Sequence, residues 1–280
     1  DFGPERVFDT PISESAILGS AVGASISGMR PVVEIMWADF VFVALDQIIN
    51  QASNVRYVNR GKLTAPLTVR MQQGVTPGSC AQHAQSVEAI LAHIPGIKVG
   101  LPSNPQDAYR MTRAAVADPD PTILIEGRAL YQDTQTIEIG GDPETASGAR
   151  RLRSGSDLVI ITWGVMVGKS LIAADELAEE GISISVLDLR WLRPLDDDAI
   201  RATVADSGSR VIVVHEDFVS GGFGAEIAAR VNEMFFAQLA APVVRVGALE
   251  VRIPSAPSLQ DAVVPGVERI KEAARAVIKR

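Results

Sequence analysis

Short aliphatic runs alternate with helix-length segments along the whole chain, and this rhythm constrains the fold more than any other feature of the sequence. In the first half the runs are Pro31–Met36, Pro66–Met71, Ile97–Leu101 and Thr122–Glu126, each rich in Val, Ile or Leu. Runs this short, bounded by turn residues and without strict polar alternation, read as strands buried on both faces. Between them lie Glu14–Ser27, Asp39–Val58, Gln85–His93 and Pro105–Ala117, which read as helices. The last has the clearest start. Asn104 can cap it, Pro105 occupies the first helical position, and Asp107 sits in the first turn, where the helix dipole favours a carboxylate. Strand and helix in alternation predict a parallel sheet with helices on both faces.

The rhythm breaks once, at DTQTIEIGGDPETASG (Asp133–Gly148), where turn formers replace apolar periodicity. A second alternation follows, with strand candidates Leu158–Thr162, Ser183–Leu187, Val211–His215 and Val243–Val246. Its helix candidates are Val167–Glu180, Asp197–Asp206, Ala225–Ala237 and Val267–Ile278. The expectation is an α/β protein of two domains, 1–133 and 150–280, joined by a linker at 134–149. A length of 280 residues suits two domains of ordinary size. No internal repeat relates the halves.

Composition narrows the function classes. The chain is 47% hydrophobic and carries a formal net charge of −8, so it lacks the basic surface that a nucleic-acid or anionic-membrane partner requires. No apolar run is long enough to span a bilayer, and the N-terminal stretch DFGPERVFD is too polar for a signal segment. A single cysteine, Cys80, rules out an internal disulfide and fits a reducing compartment.

Several residues stand where chemistry could sit, and each has a plain structural reading beside it. Glu14, in DTPISE, opens a helix of small residues; locally it reads as a first-turn glutamate stabilised by the helix dipole. His83 lies in QGVTPGSCAQHAQ, a flexible loop before a helix; ligand contact and simple helix-start polarity are both open there. Phe40 reads first as core. His93 suits the last turn of its helix. His215 and Glu216 end a strand before the Gly-rich turn Gly221–Gly224, which could hold an anion but lacks the residues of a phosphate loop. Zinc-type Cys/His spacing and a GxSxG elbow are both absent from the sequence, as is the GDG-plus-Asn pattern that holds magnesium and diphosphate in thiamine enzymes.

Seven segments taken together resemble one family. They are DTPISE, then Gly19–Glu34 (GxxxGAxxxGxRPVxE), ADF…DQIINQAS (Ala38–Ser53), AQHAQS (Ala81–Ser86), PGIKVGLPSNPQDAYRM (Pro95–Met111), VLDLRWLRPLD (Val186–Asp196) and VVHEDFVSGGFGAEIA (Val213–Ala228). In this order and spacing they resemble the beta subunit of the thiamine-diphosphate-dependent decarboxylating component of 2-oxo acid dehydrogenase complexes, the pyruvate, branched-chain and acetoin group. The resemblance implies a pyrimidine-binding domain followed by a transketolase-type C-terminal domain. It implies that Glu14 hydrogen-bonds N1′ of the cofactor's aminopyrimidine, that Phe40 stacks on that ring, and that Ile12 and Met36 line its pocket. His83 would act on the bound intermediate or on an incoming lipoyl group. A glutamate at N1′ favours the imino tautomer, whose nitrogen can take the thiazolium proton.

The same resemblance implies a potassium ion held at Leu67, Ala115, Val116, Asp118 and Asp120, mostly through backbone carbonyls. It implies an alpha subunit that binds magnesium and diphosphate in an alpha2beta2 heterotetramer, a lipoyl-bearing acyltransferase core as partner, and a further N-terminal strand ending in a Gly-Glu-Asp motif. Bacterial cytoplasm is expected over the mitochondrial matrix. Two rival readings share the fold: half of a transketolase-like or deoxyxylulose-phosphate-synthase-like enzyme acting on sugar phosphates, and a scaffold that has lost its chemistry. Glu14, Phe40 and His83 standing together argue against the scaffold.

Overall fold

The computed structural model describes residues 1–279. After an extended start, the first half runs α1 (Glu14–Ile26), β1 (Val32–Ile35), α2 (Val55–Val58), β2 (Thr68–Gln73), α3 (Glu88–Ala92), β3 (Lys98–Gly100), α4 (Pro105–Ala117) and β4 (Thr122–Gly127). The second runs β5 (Arg150–Arg153), β6 (Leu158–Thr162), α5 (Met166–Glu179), β7 (Ile184–Asp188), β8 (Trp191–Arg193), α6 (Asp197–Ala205), β9 (Val211–Phe218), α7 (Gly224–Phe235), β10 (Val244–Ala248), α8 (Pro257–Val263) and α9 (Val267–Ile278). Among the described residues no helix is long and apolar enough to cross a membrane.

Two five-stranded sheets result. The first has the order β1-β2-β4-β3-β8, with its first four strands parallel and β8 antiparallel on β3. The second has the order β10-β9-β6-β7-β5, parallel except for β5. The mainly parallel two-domain architecture is the one the alternation predicts. Leu158, Val159, Ile160 and Ile161 of β6 are fully buried, as expected for a strand covered on both faces.

Three departures from the sequence reading have physical causes. The span Asp39–Val58 is not one helix: it is a 3-10 segment (Ala38–Ala44), a π turn (Gln47–Gln51), a second 3-10 turn (Ala52–Asn54) and then α2. Polar side chains there compete for the helical carbonyls. Ser53 Oγ donates to Ile49 O at 2.6 Å, and Asn54 Nδ2 donates to the carbonyls of Ile49 and Asn50. Strands β5 and β8 were not expected, because each is short and flanked or filled by arginine. Helix α8 was also missed; Pro257 at its start reads equally well as a turn.

Strand β8 matters most for organisation. It lies in the second half of the sequence but completes the first sheet, and Gly100 of β3 makes room for it: a Cβ there would lie 2.7 Å from the Trp191 ring. The domains are also joined by charge. Buried Asp107 accepts from Arg150 Nη1 at 2.9 Å and from Arg190 Nε at 3.1 Å. The linker lies along one face of α4, where Gln106, Tyr109, Arg110 and Arg113 hydrogen-bond Glu138, Gly140 and Gly141.

Candidate active site

Strands β1, β2 and β4 end together, and the segments that follow them carry most of the polar and aromatic side chains of this end of the sheet. That is where open α/β sheets bind ligands. Met36 and Trp37 follow β1, the loop 74–87 follows β2, and Arg128 follows β4. Gln72 Nε2 donates to Met36 O, tying the first two segments. Gln73 closes the base of the loop: its Oε1 accepts from Val87 N at 3.0 Å, and its Nε2 donates to Glu88 Oε2 at 2.7 Å. Buried Asp39 holds the loop from the other side, accepting from Gln85 N and Nε2 at 3.3 and 3.0 Å.

This framing brings His83 against two rings. Its imidazole meets Trp37 edge-on at 4.9 Å between centroids and Phe40 at 5.7 Å. Beyond Trp37 lies the Arg128 guanidinium, 6.0 Å from that ring and 4.9 Å from the Tyr131 ring. Tyr131 OH donates to Glu126 Oε2 at 2.8 Å, and Arg70 forks onto the same carboxylate. Burial and that carboxylate push the Tyr131 phenol up. Sequence reasoning passed over Trp37, Gln73 and Arg128, and took Asp39 only as part of the ADF segment. Only the aromatic residue directly before Ala38-Asp39-Phe40 signalled any of them.

Glu14 is the first residue of α1 and is half-buried. Ser15 Oγ donates to Val43 O at 2.6 Å, which fastens the start of α1 to the segment carrying Phe40. Ile12, Met36 and Phe40 are 95%, 66% and 37% exposed. The side chains expected to meet the pyrimidine thus lie open at the surface and are not enclosed. The donor set fits a flat heteroaromatic ring with one basic nitrogen: a carboxylate for the nitrogen, a phenyl ring for the face, and aliphatic and thioether groups to exclude water. A cavity of about 690 Å³ lies elsewhere, between His93, Arg193, Phe223 and Arg230, and none of Glu14, Phe40 or His83 lines it.

The positions expected for potassium gather at the end of α4, but cations of the chain already engage them. Arg30 Nη1 donates to Val116 O at 2.7 Å and to Asp118 O at 3.1 Å, Arg56 Nε donates to Asp120 Oδ1 at 2.6 Å, and Lys98 pairs with the Asp118 carboxylate. Leu67 O accepts from Thr122 N, and Ala115 O from Asp118 N. A potassium ion here would share these oxygens with three side-chain cations.

The Gly-rich turn lies close against a histidine. A Cβ at Gly224 would meet His215 Nε2 at 2.5 Å, so the turn is packed onto that imidazole. His215 stacks on Trp163 at 5.4 Å, and burial pushes it down to about 4. His93 is exposed at the end of α3.

Comparison with known proteins places these features in context. A model of the transketolase pyrimidine-binding domain matches residues 1–134, and one of the transketolase C-terminal domain matches residues 147–270. The chain is 40% identical over 278 residues to pyruvate dehydrogenase E1 component subunit beta-2, mitochondrial, of Oryza sativa subsp. japonica, covering 98% of this chain and 74% of that protein. It is 38% identical to the acetoin:2,6-dichlorophenolindophenol oxidoreductase subunit beta of Cupriavidus necator, covering 98% of this chain and 81% of that one. It is 37% identical to the 2-oxoisovalerate dehydrogenase subunit beta of Bacillus subtilis, covering 98% and 84%. Among solved structures, a split-gene transketolase described as an inactive beta4 tetramer shares the fold, with a TM-score of 0.79 over 99% of this chain and 85% of that one at 24% identity.

Proposed function

The chain belongs to the family of beta subunits of 2-oxo acid dehydrogenases, and on that premise we propose that it is the pyrimidine-activating half of a thiamine-diphosphate-dependent active site, completed by an alpha subunit. The observation that carries this reading is the open face itself. Glu14, half-buried at the start of α1, is fastened through Ser15 to the segment that carries Phe40, and Ile12, Met36 and Phe40 are left exposed in this part of the first domain. Thiamine diphosphate, when bound, supplies the nucleophilic carbon that attacks the 2-oxo carbon and the electron sink into which carbon dioxide departs.

The chain's own groups do the rest. Glu14 holds the proton at the pyrimidine nitrogen through a carboxylate oxygen. Phe40, Ile12 and Met36 fix the plane of the ring and keep water away from it, which strengthens that hydrogen bond. His83, braced by Trp37 and Phe40, serves the later step. There, with the cofactor bound, a lipoyl disulfide would take up the acyl group and two electrons, and His83 would hand a proton to the sulfur that leaves as a thiolate. The alpha subunit holds magnesium and diphosphate, since this chain carries no GDG pattern. An alpha2beta2 assembly docked on a lipoyl-bearing acyltransferase core, in a bacterial cytoplasm, completes the reading.

Glu14→Gln tests it. In the complex with its alpha partner, thiamine diphosphate and magnesium, decarboxylation of pyruvate and of branched 2-oxo acids should fall by about 10²-fold or more while assembly is retained. Full activity of Glu14→Gln would falsify the assignment. A wild-type complex active only on sugar phosphates would favour the transketolase-like reading instead.

A further inference from the structure

The loop that carries His83 belongs to the first domain by sequence, yet it has little structure of its own. It is a turn at Thr76–Ser79, with Gly74, Gly78 and Cys80 in the left-handed region and no helix or strand before Glu88. Besides the first-domain contacts of Asp39 and Gln73, it is held at several points from the second domain. Glu216, near the end of β9, accepts from Val75 N at 3.2 Å through Oε1, while its Oε2 fills the space above Gly74, where a Cβ would come within 2.5 Å of it. Gln260 of α8 donates from Nε2 to Thr76 O at 3.0 Å and to Pro254 O at 2.9 Å. Arg252 donates to Gln85 Oε1 at 3.3 Å. Ala84, next to His83 in the chain, is buried in the apolar cluster built on β6, β7 and β9, and Val75 packs against the same cluster.

We propose that the second domain positions His83, with Glu216 as the positioning residue at the foot of the loop and Gln260 as its support. The inference deepens the dehydrogenase reading, because it gives the C-terminal domain a task inside the active site without any contact to substrate. Glycine at 74 is part of the device: φ of +99° disfavours a side chain there, and a Cβ would push the Glu216 oxygen out of its place. So is the packing of the half-buried Glu216, whose two carboxylate oxygens meet the Val75 amide and the space above Gly74. The groups facing it are the Val75 amide from the loop, Lys169 on α5 and Glu88 on α3. Displacing a catalytic group by about 1 Å can cost on the order of 10²-fold in rate, so a loop held at few points is sensitive to any one of them.

The test uses the assembled complex and three variants, Glu216→Ala, Glu216→Gln and Gln260→Ala, beside His83→Ala. Glu216→Ala should slow the same step that His83→Ala slows, by about ten-fold, with KM for the 2-oxo acid unchanged. Glu216→Gln keeps an acceptor for Val75 N and should recover most of that loss. The double variant His83→Ala/Glu216→Ala should be no slower than His83→Ala alone, because a residue acting only through His83 has nothing further to lose. Additive losses, or equal losses in every step, would overturn the proposal. Hydrogen exchange of residues 74–87 is a readout independent of activity. It should rise in Glu216→Ala and Gln260→Ala while exchange in β6 is unchanged, and unaltered exchange in both variants would refute the positioning role. Should the wild-type complex fail to act on any 2-oxo acid, the dehydrogenase reading falls, and the exchange experiment still decides whether the second domain holds the loop.

Discussion

The face around Glu14 and the seam between the domains use similar residues in opposite ways. On the face, Ile12, Met36 and Phe40 lie open and the carboxylate beside them is half-buried. In the seam, Glu88, Asp188, His215 and Asp217 are buried among packed side chains, and Glu216 beside them is half-buried. Burial pushes Asp188, Glu216 and Asp217 up to about 7. The groups expected to do chemistry are therefore the ones left uncovered, and the strongly perturbed groups hold structure. Perturbed titration marks active sites only when it coincides with access. Here the two are separated, as the proposed function, in which a partner chain covers the face, requires.

The same substitution placed in each region should give the largest contrast. Ile160→Ala, in fully buried β6, should cost about 2–5 kcal/mol of stability by urea denaturation. Ile12→Ala should change stability by less than about 0.5 kcal/mol. A large loss at Ile12 would mean that the open face is closed in the free chain.

The next effect is on pH. A carboxyl whose value is raised by folding stabilises the fold below its unfolded value, and that contribution disappears as pH rises through the folded value. With Asp188, Glu216 and Asp217 raised to about 7, stability should decline between pH 5 and 8. His215 works in the other direction. Pushed down to about 4, it stabilises the fold above the ordinary imidazole value and loses that contribution as pH falls toward 4. From pH 6.5 upward the acids act alone. Asp188→Asn should flatten the decline in unfolding midpoint between pH 6.5 and 8, and an unchanged slope would show that Asp188 does not titrate there.

The smallest expected effect sharpens the contrast. With the alpha partner present, Ile12→Ala should weaken thiamine diphosphate binding by a few-fold, the worth of a few buried methylenes at about 0.8 kcal/mol each, measured by cofactor titration of activity. An unchanged affinity would remove Ile12 from the pyrimidine contacts.

Much of the scaffold was legible in the sequence because local signals and burial agreed. Helix α4 starts at Pro105 as its caps predict, with Asn104 Oδ1 accepting from Asp107 N at 2.9 Å. Strand β6 was equally plain, since an apolar run that short has few other uses. The segment from Ala38 to Val58 was misread because its apolar spacing is helical, while Ser53 and Asn54 divert the backbone hydrogen bonds that would complete a helix. Glu14, Phe40 and His83 were singled out only through the resemblance of whole segments. Trp37 and Gln73 were not found, because what they do depends on neighbours distant in sequence. Glu216 was noticed only as part of a strand end; its partner is a loop amide 141 positions away, and no local pattern encodes that.

Strand β8 carries a last consequence. The chain crosses from the first domain at the exposed linker, builds β5 to β7, and then returns Trp191–Arg193 to the first sheet. Cutting the backbone at the linker would therefore not release two bodies. The amino-terminal fragment would lack the edge strand that covers β3, and the carboxy-terminal fragment would bear an indole that is wholly buried in the intact fold. A protease nick between Gln135 and Asp142 should leave a particle that migrates as one species until denaturant is added. A gene split at that point should yield two polypeptides that fold well only in each other's company.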